Sequence, residues 1–88
     1  MSKPYLEVTY RRGKPFAAYL YLDRRSGDKA ARSERREDFV VDYADDGRPI
    51  GIELTRISGV DLHAINEVLA KAHAASLAAA DLAPLSAA

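Results

Sequence analysis

Polar and apolar residues alternate along three stretches of the chain, and a period of two is typical of strands that bury one face. The first stretch is 5–10. The other two are 39–43 and 50–54, which flank an acidic turn with a glycine at 44–47. A short turn of this composition between two alternating stretches predicts a β-hairpin.

A fourth stretch, 16–22, is apolar on both sides. The turn at 11–15 that precedes it contains Gly and Pro, and so short a connection predicts antiparallel pairing with the first strand. One face of this second strand carries Phe16, Ala18, Leu20 and Leu22. The other face carries Ala17, Tyr19 and Tyr21. Both faces are poor in charge, so we expect one to pack on the core and the other to be exposed or covered by a partner.

The register of the hairpin follows from its apolar pattern, because a slip of one residue would turn an apolar set towards water. We therefore expect Val41 to lie opposite Ile50 or Ile52 and not opposite Gly51. A glycine inside a strand is typical of a bulge or of a close packing contact, and we expect one of these at Gly51.

A helical period follows the hairpin. Asp61 has the short polar side chain of an N-cap, and the residues behind it form one apolar stripe of Leu62, Ile65, Val68, Leu69 and Ala72. The sequence therefore predicts an α+β fold with a four-stranded antiparallel meander sheet, followed by one C-terminal helix packed on one face. We expect a single small ββββα domain at 1–75 and an Ala-rich C-terminal tail at 76–88 that frays.

The stretch 23–38 shows no hydrophobic period, because basic side chains interleave there with acidic ones. It predicts a loop, with a short strand near 30–33 before the chain returns to the sheet.

The composition narrows the classes of function. The 88 residues suffice for one small domain, and a formal net charge of +0 argues against nucleic-acid binding through an overall field. The chain has no cysteine, and a chain this small without disulfides is commonly stabilised by association, so we expect a homodimer.

No apolar run is long enough to span a membrane, and no signal-peptide pattern is present, so we expect a cytoplasmic protein.

Several side chains could carry chemistry. An acidic cluster could bind Mg²⁺ or Ca²⁺, but its spacing matches no calcium loop, which favours turn and solvent-face roles for Asp42, Asp45, Asp46 and Glu53. His63 and Glu67 are favoured as a solvated pair one helical turn apart, and His73 as a partly buried packing residue. No nucleophile has a visible activating partner, so we expect no enzymatic activity, no cofactor and no metal.

The hairpin also resembles a known family. Its residues Val40-Val41-Asp42-Tyr43, the acidic glycine turn and Gly51-Ile52-Glu53-Leu54 are similar to the motif of a small bacterial family, domain of unknown function 2283 (DUF2283). The resemblance extends over residues 5–72 and departs at Ala44, where members more often carry an acidic residue, and at 11–14, where members have an acidic segment. It implies a fold rather than an established activity, and some members resemble antitoxin-like partners of small toxins.

Two hypotheses for function remain open. The first is a non-enzymatic protein-interaction module, either a homodimer or an antitoxin-like partner of another small protein. It would use an open sheet edge or the apolar surface of Tyr5, Tyr19, Tyr21 and Val40. The alternative is binding of a polyanion or nucleic acid through the Arg-rich loops 11–14 and 24–36, with contacts from Arg24, Arg25 and Arg36.

Overall fold

The computed structural model of the chain describes residues 4–22 and 26–87. Its strands are β1 (Tyr5–Arg11), β2 (Lys14–Tyr21), β3 (Arg32–Arg35), β4 (Phe39–Tyr43) and β5 (Pro49–Leu54). An α-helix, α1, spans Leu62–Lys71, and a 3₁₀ helix spans Ala79–Ala87. Neither of these two helices is long and apolar enough to cross a membrane.

Within these residues the strands form one five-stranded antiparallel sheet in the order β1-β2-β5-β4-β3. The predicted α+β class, antiparallel sheet and C-terminal helix are confirmed. The predicted four-stranded meander is wrong in two respects, because β3 is a fifth strand and β5 lies between β2 and β4. The strands β2 to β5 have the spatial order of a Greek key.

The connection between β2 and β3 accounts for this order. It is too long for a tight hairpin, and it carries the chain past the ends of β5 and β4 to the far edge, where β3 pairs with β4. An ion pair holds the connection to the β4–β5 turn, with Arg48 Nη2 2.8 Å from Asp28 Oδ1. All four residues of β3 are polar, so periodicity could not define it, and the short strand expected near 30–33 begins at Arg32.

The β4–β5 hairpin has the predicted register. Val41 lies opposite Ile52, and Asp42 lies opposite Gly51. In the turn, the N–H of Gly47 donates to the carbonyl oxygen of Ala44 at 2.9 Å. Gly47 has a φ of 88°, which glycine adopts without steric cost.

One face of the sheet packs against α1. The largest fully buried side chains include Leu20 of β2, Val41 of β4 and Ile52 of β5 on the sheet, and Ile65 and Leu69 of the helix. The predicted helical stripe therefore docks on the hairpin as expected. Complete burial of one such aliphatic side chain contributes about 1.5–3 kcal/mol.

Phe16 departs from the predicted buried face, since 58% of it is exposed. The register between β1 and β2 shifts after Thr9, which pairs with Ala17, whereas Tyr10 pairs with Pro15. Phe16 is thus an extra residue in β2, and a bulge of this kind turns a side chain out of the regular alternation.

Both ends of α1 are capped by local hydrogen bonds. Asp61 Oδ1 accepts the N–H of Ala64 at 3.1 Å, as predicted for an N-cap. At the C-terminal end, His73 has a φ of 58°, and the N–H of Ala74 donates to the carbonyl oxygen of Leu69 at 2.8 Å. This is a Schellman motif, which ends the helix and turns the chain back towards the sheet.

The segment after α1 packs on the core, whereas the sequence pattern predicts a frayed tail at 76–88. Leu77, Leu82 and Leu85 are buried. The amide of Asn66 binds both backbone groups of Leu77, accepting its N–H at 2.8 Å and donating to its carbonyl oxygen at 3.1 Å. Leu77, Leu82 and Leu85 are spaced five and three residues apart, which is not a sustained α-helical period, so the pattern did not predict that they pack together.

Candidate interaction surface

The sheet face opposite α1 carries three tyrosines from the two strands at one edge. We call it the tyrosine face and define it by Tyr5, Tyr19, Tyr21 and Val40 together with the carboxylates of Glu7, Asp42 and Glu53. Their side chains share this face because they alternate with the buried residues of the same strands. No element in the described part of the chain covers it, and 62% of Tyr5 is exposed.

Tyr19 reaches across the sheet to Asp42. Its hydroxyl donates to Asp42 Oδ2 at 2.7 Å, although Tyr19 lies on β2, Asp42 lies on β4, and β5 separates the two strands. The ring crosses β5 at Gly51, where a Cβ atom would overlap the hydroxyl and lie 2.5 Å from Tyr19 Cε2. The close contact expected at Gly51 is therefore confirmed, and the missing side chain makes room for the ring.

Asp42 is held from two sides. Its Oδ2 accepts the Tyr19 hydroxyl, and its Oδ1 accepts the hydroxyl of Ser33 on β3 at 2.6 Å. These two bonds connect β2, β4 and β3 on the tyrosine face. The sequence did not indicate them, because Asp42 and Tyr19 are more than 20 residues apart and their partnership depends on the position of β5.

Tyr21 lies at the centre of the aromatic cluster. Its ring centroid is 4.8 Å from that of Tyr19 in an edge-to-face arrangement and 5.9 Å from that of Tyr5. Its hydroxyl donates to Glu7 Oε1 at 3.5 Å, a long and weak bond. The predicted surface residues Tyr5, Tyr19 and Tyr21 are therefore brought together.

Val40 shares the tyrosine face but lies apart from the three rings. It is directly opposite Glu53 on one side and Arg35 on the other, so a carboxylate separates it from Tyr19, which also faces Glu53. The charged side chains of this face that lie nearest the rings, Glu7, Asp42 and Glu53, are acidic, whereas the basic side chains of Arg11 and Arg35 lie on the two edge strands. The area around the rings therefore combines aromatic surface with negative charge.

The basic residues predicted to contact a polyanion are not assembled in this way. Arg24 and Arg25 lie outside the described residues. Arg36 is exposed beyond β3 and pairs with Glu34 at 3.2 Å. The basic turn at 11–14 joins β1 to β2 at the opposite edge of the sheet, so the two Arg-rich segments do not form one continuous patch among the described residues.

The carboxylates at the acidic turn bind the guanidinium of Arg48 and are not arranged as a metal site. Arg48 Nε lies 2.8 Å from Asp46 Oδ2, and its guanidinium also binds both oxygens of Asp28. The hydrogen bonds to Asp28, and then those to Asp46, raise the pKa of Arg48 above its ordinary value. Among the described residues, no three metal-binding side chains converge.

The two histidines occupy solvated positions. His63 Nε2 lies 2.8 Å from Glu67 Oε1, and both side chains are mostly exposed, which is the arrangement favoured from their spacing. His73 is exposed and does not have the partly buried packing role that the sequence predicted. It occupies the left-handed position that ends α1, a position defined by backbone geometry.

Part of the chain matches a known protein family. Residues 17–58 match the family described as "Protein of unknown function (DUF2283)". This segment of the chain is similar to the DUF2283 family. The match covers most of β2 and all of β3, β4 and β5, and therefore includes Tyr19, Asp42 and Gly51 but not β1 or α1. No curated protein and no solved structure matches the chain.

Proposed function

We propose that this protein is a non-enzymatic protein-interaction module that binds its partner through the tyrosine face. The supporting observation is the difference between the two faces of one sheet. One face is covered by α1 and the leucines that follow it, whereas the other presents a tyrosine cluster that no described element covers. Tyrosine is enriched at protein interfaces because its ring buries apolar surface while its hydroxyl stays hydrogen-bonded.

The charge of the tyrosine face favours a basic partner. Two copies placed face to face would bring Glu7, Asp42 and Glu53 against the same carboxylates, and like charges across an interface are unfavourable. Lys and Arg side chains would pair with these carboxylates and lie over the exposed ring of Tyr5 as cation–π contacts. The partner is therefore another small protein with a basic segment, and an antitoxin-like role would be one instance of it.

The interface would depend on its aromatic residues. Removal of a central tyrosine ring from an interface of this kind costs about 2 kcal/mol, or roughly 30-fold in Kd. Tyr5 is the best residue to test, since it is mostly exposed and lies outside the buried core. Tyr10 on the same strand is a matched control, because 55% of it is exposed but it lies outside the tyrosine face.

The test is a titration with short peptides of defined charge, followed by the amide signals of β2 and β5. We expect Arg-rich and Lys-rich peptides to shift the signals of Tyr21 and Glu53, and we expect binding to weaken for Tyr5→Ala and Glu53→Gln but not for Tyr10→Ala. Acidic peptides that bind equally well, or signals that stay unmoved with every peptide, would refute the proposal. Co-purification with the product of the neighbouring gene would then identify the natural partner.

A second candidate function rests on the β1–β2 turn. Arg11, Arg12 and Lys14 are exposed there, and the guanidinium of Arg11 lies 5.2 Å from the ring centroid of the exposed Phe16. Basic and aromatic side chains in one place can bind a single-stranded nucleic acid by phosphate contacts and base stacking. Binding that weakens with salt and is lost on alanine substitution of the three basic residues would support it, and an absence of binding at low salt would eliminate it.

A further inference from the structure

The two edges of the sheet differ in how they are protected against pairing with another strand. The β3 edge has four residues, all polar, and charged side chains on a short strand are a common protection. The β1 edge has seven residues, with the sequence Tyr-Leu-Glu-Val-Thr-Tyr-Arg, and lacks proline in its interior. The bulge beside it lies in β2, so β1 itself stays regular.

The 3₁₀ helix Ala79–Ala87 lies near β1, but among the described residues it forms no backbone hydrogen bond with the outer edge of this strand. Among the described residues, β1 pairs with β2, and no other backbone hydrogen bond joins it to a neighbouring element. Alternate residues of such a strand direct their N–H and C=O groups outward. The large apolar side chains that are most exposed, Tyr5, Tyr10 and Phe16, lie on β1 or on the strand beside it.

We infer that β1 is the interface for a second copy of this chain, which adds its own β1 antiparallel to form a continuous sheet across the dimer. This interface is the backbone edge of β1 and shares only Tyr5 and Glu7 with the tyrosine face, so the inference does not depend on the proposed function. A twofold axis perpendicular to the sheet would place the two tyrosine faces side by side on the same side of the dimer. The dimer would then offer a basic partner two adjacent sites.

The sequence of β1 selects one register. With the twofold axis at Val8, all seven residues are paired, and the apolar pairs Leu6–Tyr10 and Val8–Val8 extend the core side. On the other side, Tyr5 meets Arg11, and Glu7 meets Thr9, so no like charges are opposed. An axis at Glu7 would place two glutamates in contact, and an axis at Thr9 would leave Tyr5 and Leu6 beyond the paired region.

Substitutions that change the charge at the exposed positions Glu7 and Thr9 test both the interface and its register. Thr9→Glu places a second carboxylate opposite Glu7 of the other copy, whereas Thr9→Lys places an ammonium group there. Because each dimer contains this pair twice, we expect the dimer Kd to rise roughly 2- to 30-fold for Thr9→Glu and to fall by a similar factor for Thr9→Lys. The double variant Glu7→Lys, Thr9→Glu should restore dimerisation.

Sedimentation of the full chain over a wide concentration range gives these constants. A protein that stays monomeric at the highest concentration overturns the inference, and so does a dimer whose Kd is the same in all three variants. Failure of peptide binding at the tyrosine face would leave this measurement unaffected, so the two proposals can fail separately.

Cross-linking gives a second readout of the register. The chain has no cysteine, so a disulfide in Val8→Cys can form only between copies, and residues paired across an antiparallel ladder are within disulfide range. We expect Val8→Cys to form a covalent dimer on mild oxidation and Thr9→Cys to form little. The opposite result, with Thr9→Cys cross-linked and Val8→Cys not, would overturn the register.

Discussion

Substitution of Gly51 by alanine should destabilise the fold through a residue that is not its direct neighbour in the sheet. Tyr21 lies directly opposite Gly51, but the atoms that a Cβ would meet belong to Tyr19. Alanine can adopt the backbone of this strand, since Gly51 does not have a positive φ. The Tyr19 ring would therefore have to leave its position over β5.

The cost follows from the two contacts that Tyr19 would lose. A hydrogen bond to a charged group such as Asp42 contributes about 1.5–3 kcal/mol, and an edge-to-face ring pair such as Tyr19 with Tyr21 contributes about 0.5–1.5 kcal/mol. Replacement of a strand glycine returns about 0.5–1 kcal/mol of backbone entropy. Since Tyr19 is only half-buried, we expect a net loss of about 1–3 kcal/mol, which lowers Tm by roughly 4–8 °C for each kcal/mol in a domain of this size.

Urea and thermal unfolding followed by circular dichroism would measure this loss in three backgrounds. In Tyr19→Ala, where no ring covers the glycine, Gly51→Ala should be neutral or stabilising. In Tyr21→Ala, where the ring of Tyr19 remains, Gly51→Ala should still destabilise. The reasoning is refuted if Gly51→Ala is harmless in the natural sequence, or if it costs the same with and without Tyr19.

Three further outcomes are expected. Leu82→Ala should lower the free energy of unfolding by about 2 kcal/mol if the 3₁₀ helix holds its place on the core, whereas a frayed tail would show no change in the same urea titration. Asp61→Ala should cost about 1 kcal/mol, and Asp61→Asn much less, because either an amide or a carboxylate oxygen caps α1; equal losses would contradict a capping role. Arg48→Met should speed hydrogen exchange at Ala31, while Arg56→Met, which removes an exposed side chain, should not. The raised pKa of Arg48 adds stability that is complete below the ordinary arginine pKa and is lost only as pH rises through the raised value, so Arg48 itself should give no pH dependence near neutrality.

The sequence predicted the structure correctly where a local pattern is compatible with only one local structure. The Val41–Ile52 pairing follows from the period of two together with a turn of fixed chemistry, and the cap at Asp61 follows from its place before an amphipathic stripe. The close contact at Gly51 could be anticipated as one of two alternatives, but the residue that makes it, Tyr19, could not.

The strand order was not predicted because the β4–β5 hairpin can lie beside β2 with either strand. The pairing of β5 with β4 is the same in both arrangements. An apolar strand that is buried on one face gives the same alternation at an edge or in the centre of a sheet. The packing of the final segment was missed because it depends on one amide, Asn66, and on leucines that have no α-helical period. The tyrosine face was predicted in its residues, but its carboxylates became part of it only through the observed pairing.

The central position of β5 also constrains how the protein folds during synthesis. β5 is the last strand to be made, and it pairs with both β2 and β4, whereas no pairing among the described strands joins the β1–β2 hairpin directly to β3 and β4. The sheet therefore consists of two separate parts until Leu54 has left the ribosome, and non-local pairing of this kind is slow. A nascent chain that ends before Pro49 should remain sensitive to protease, and the strand whose arrival completes the sheet lies within the segment that matches the DUF2283 model.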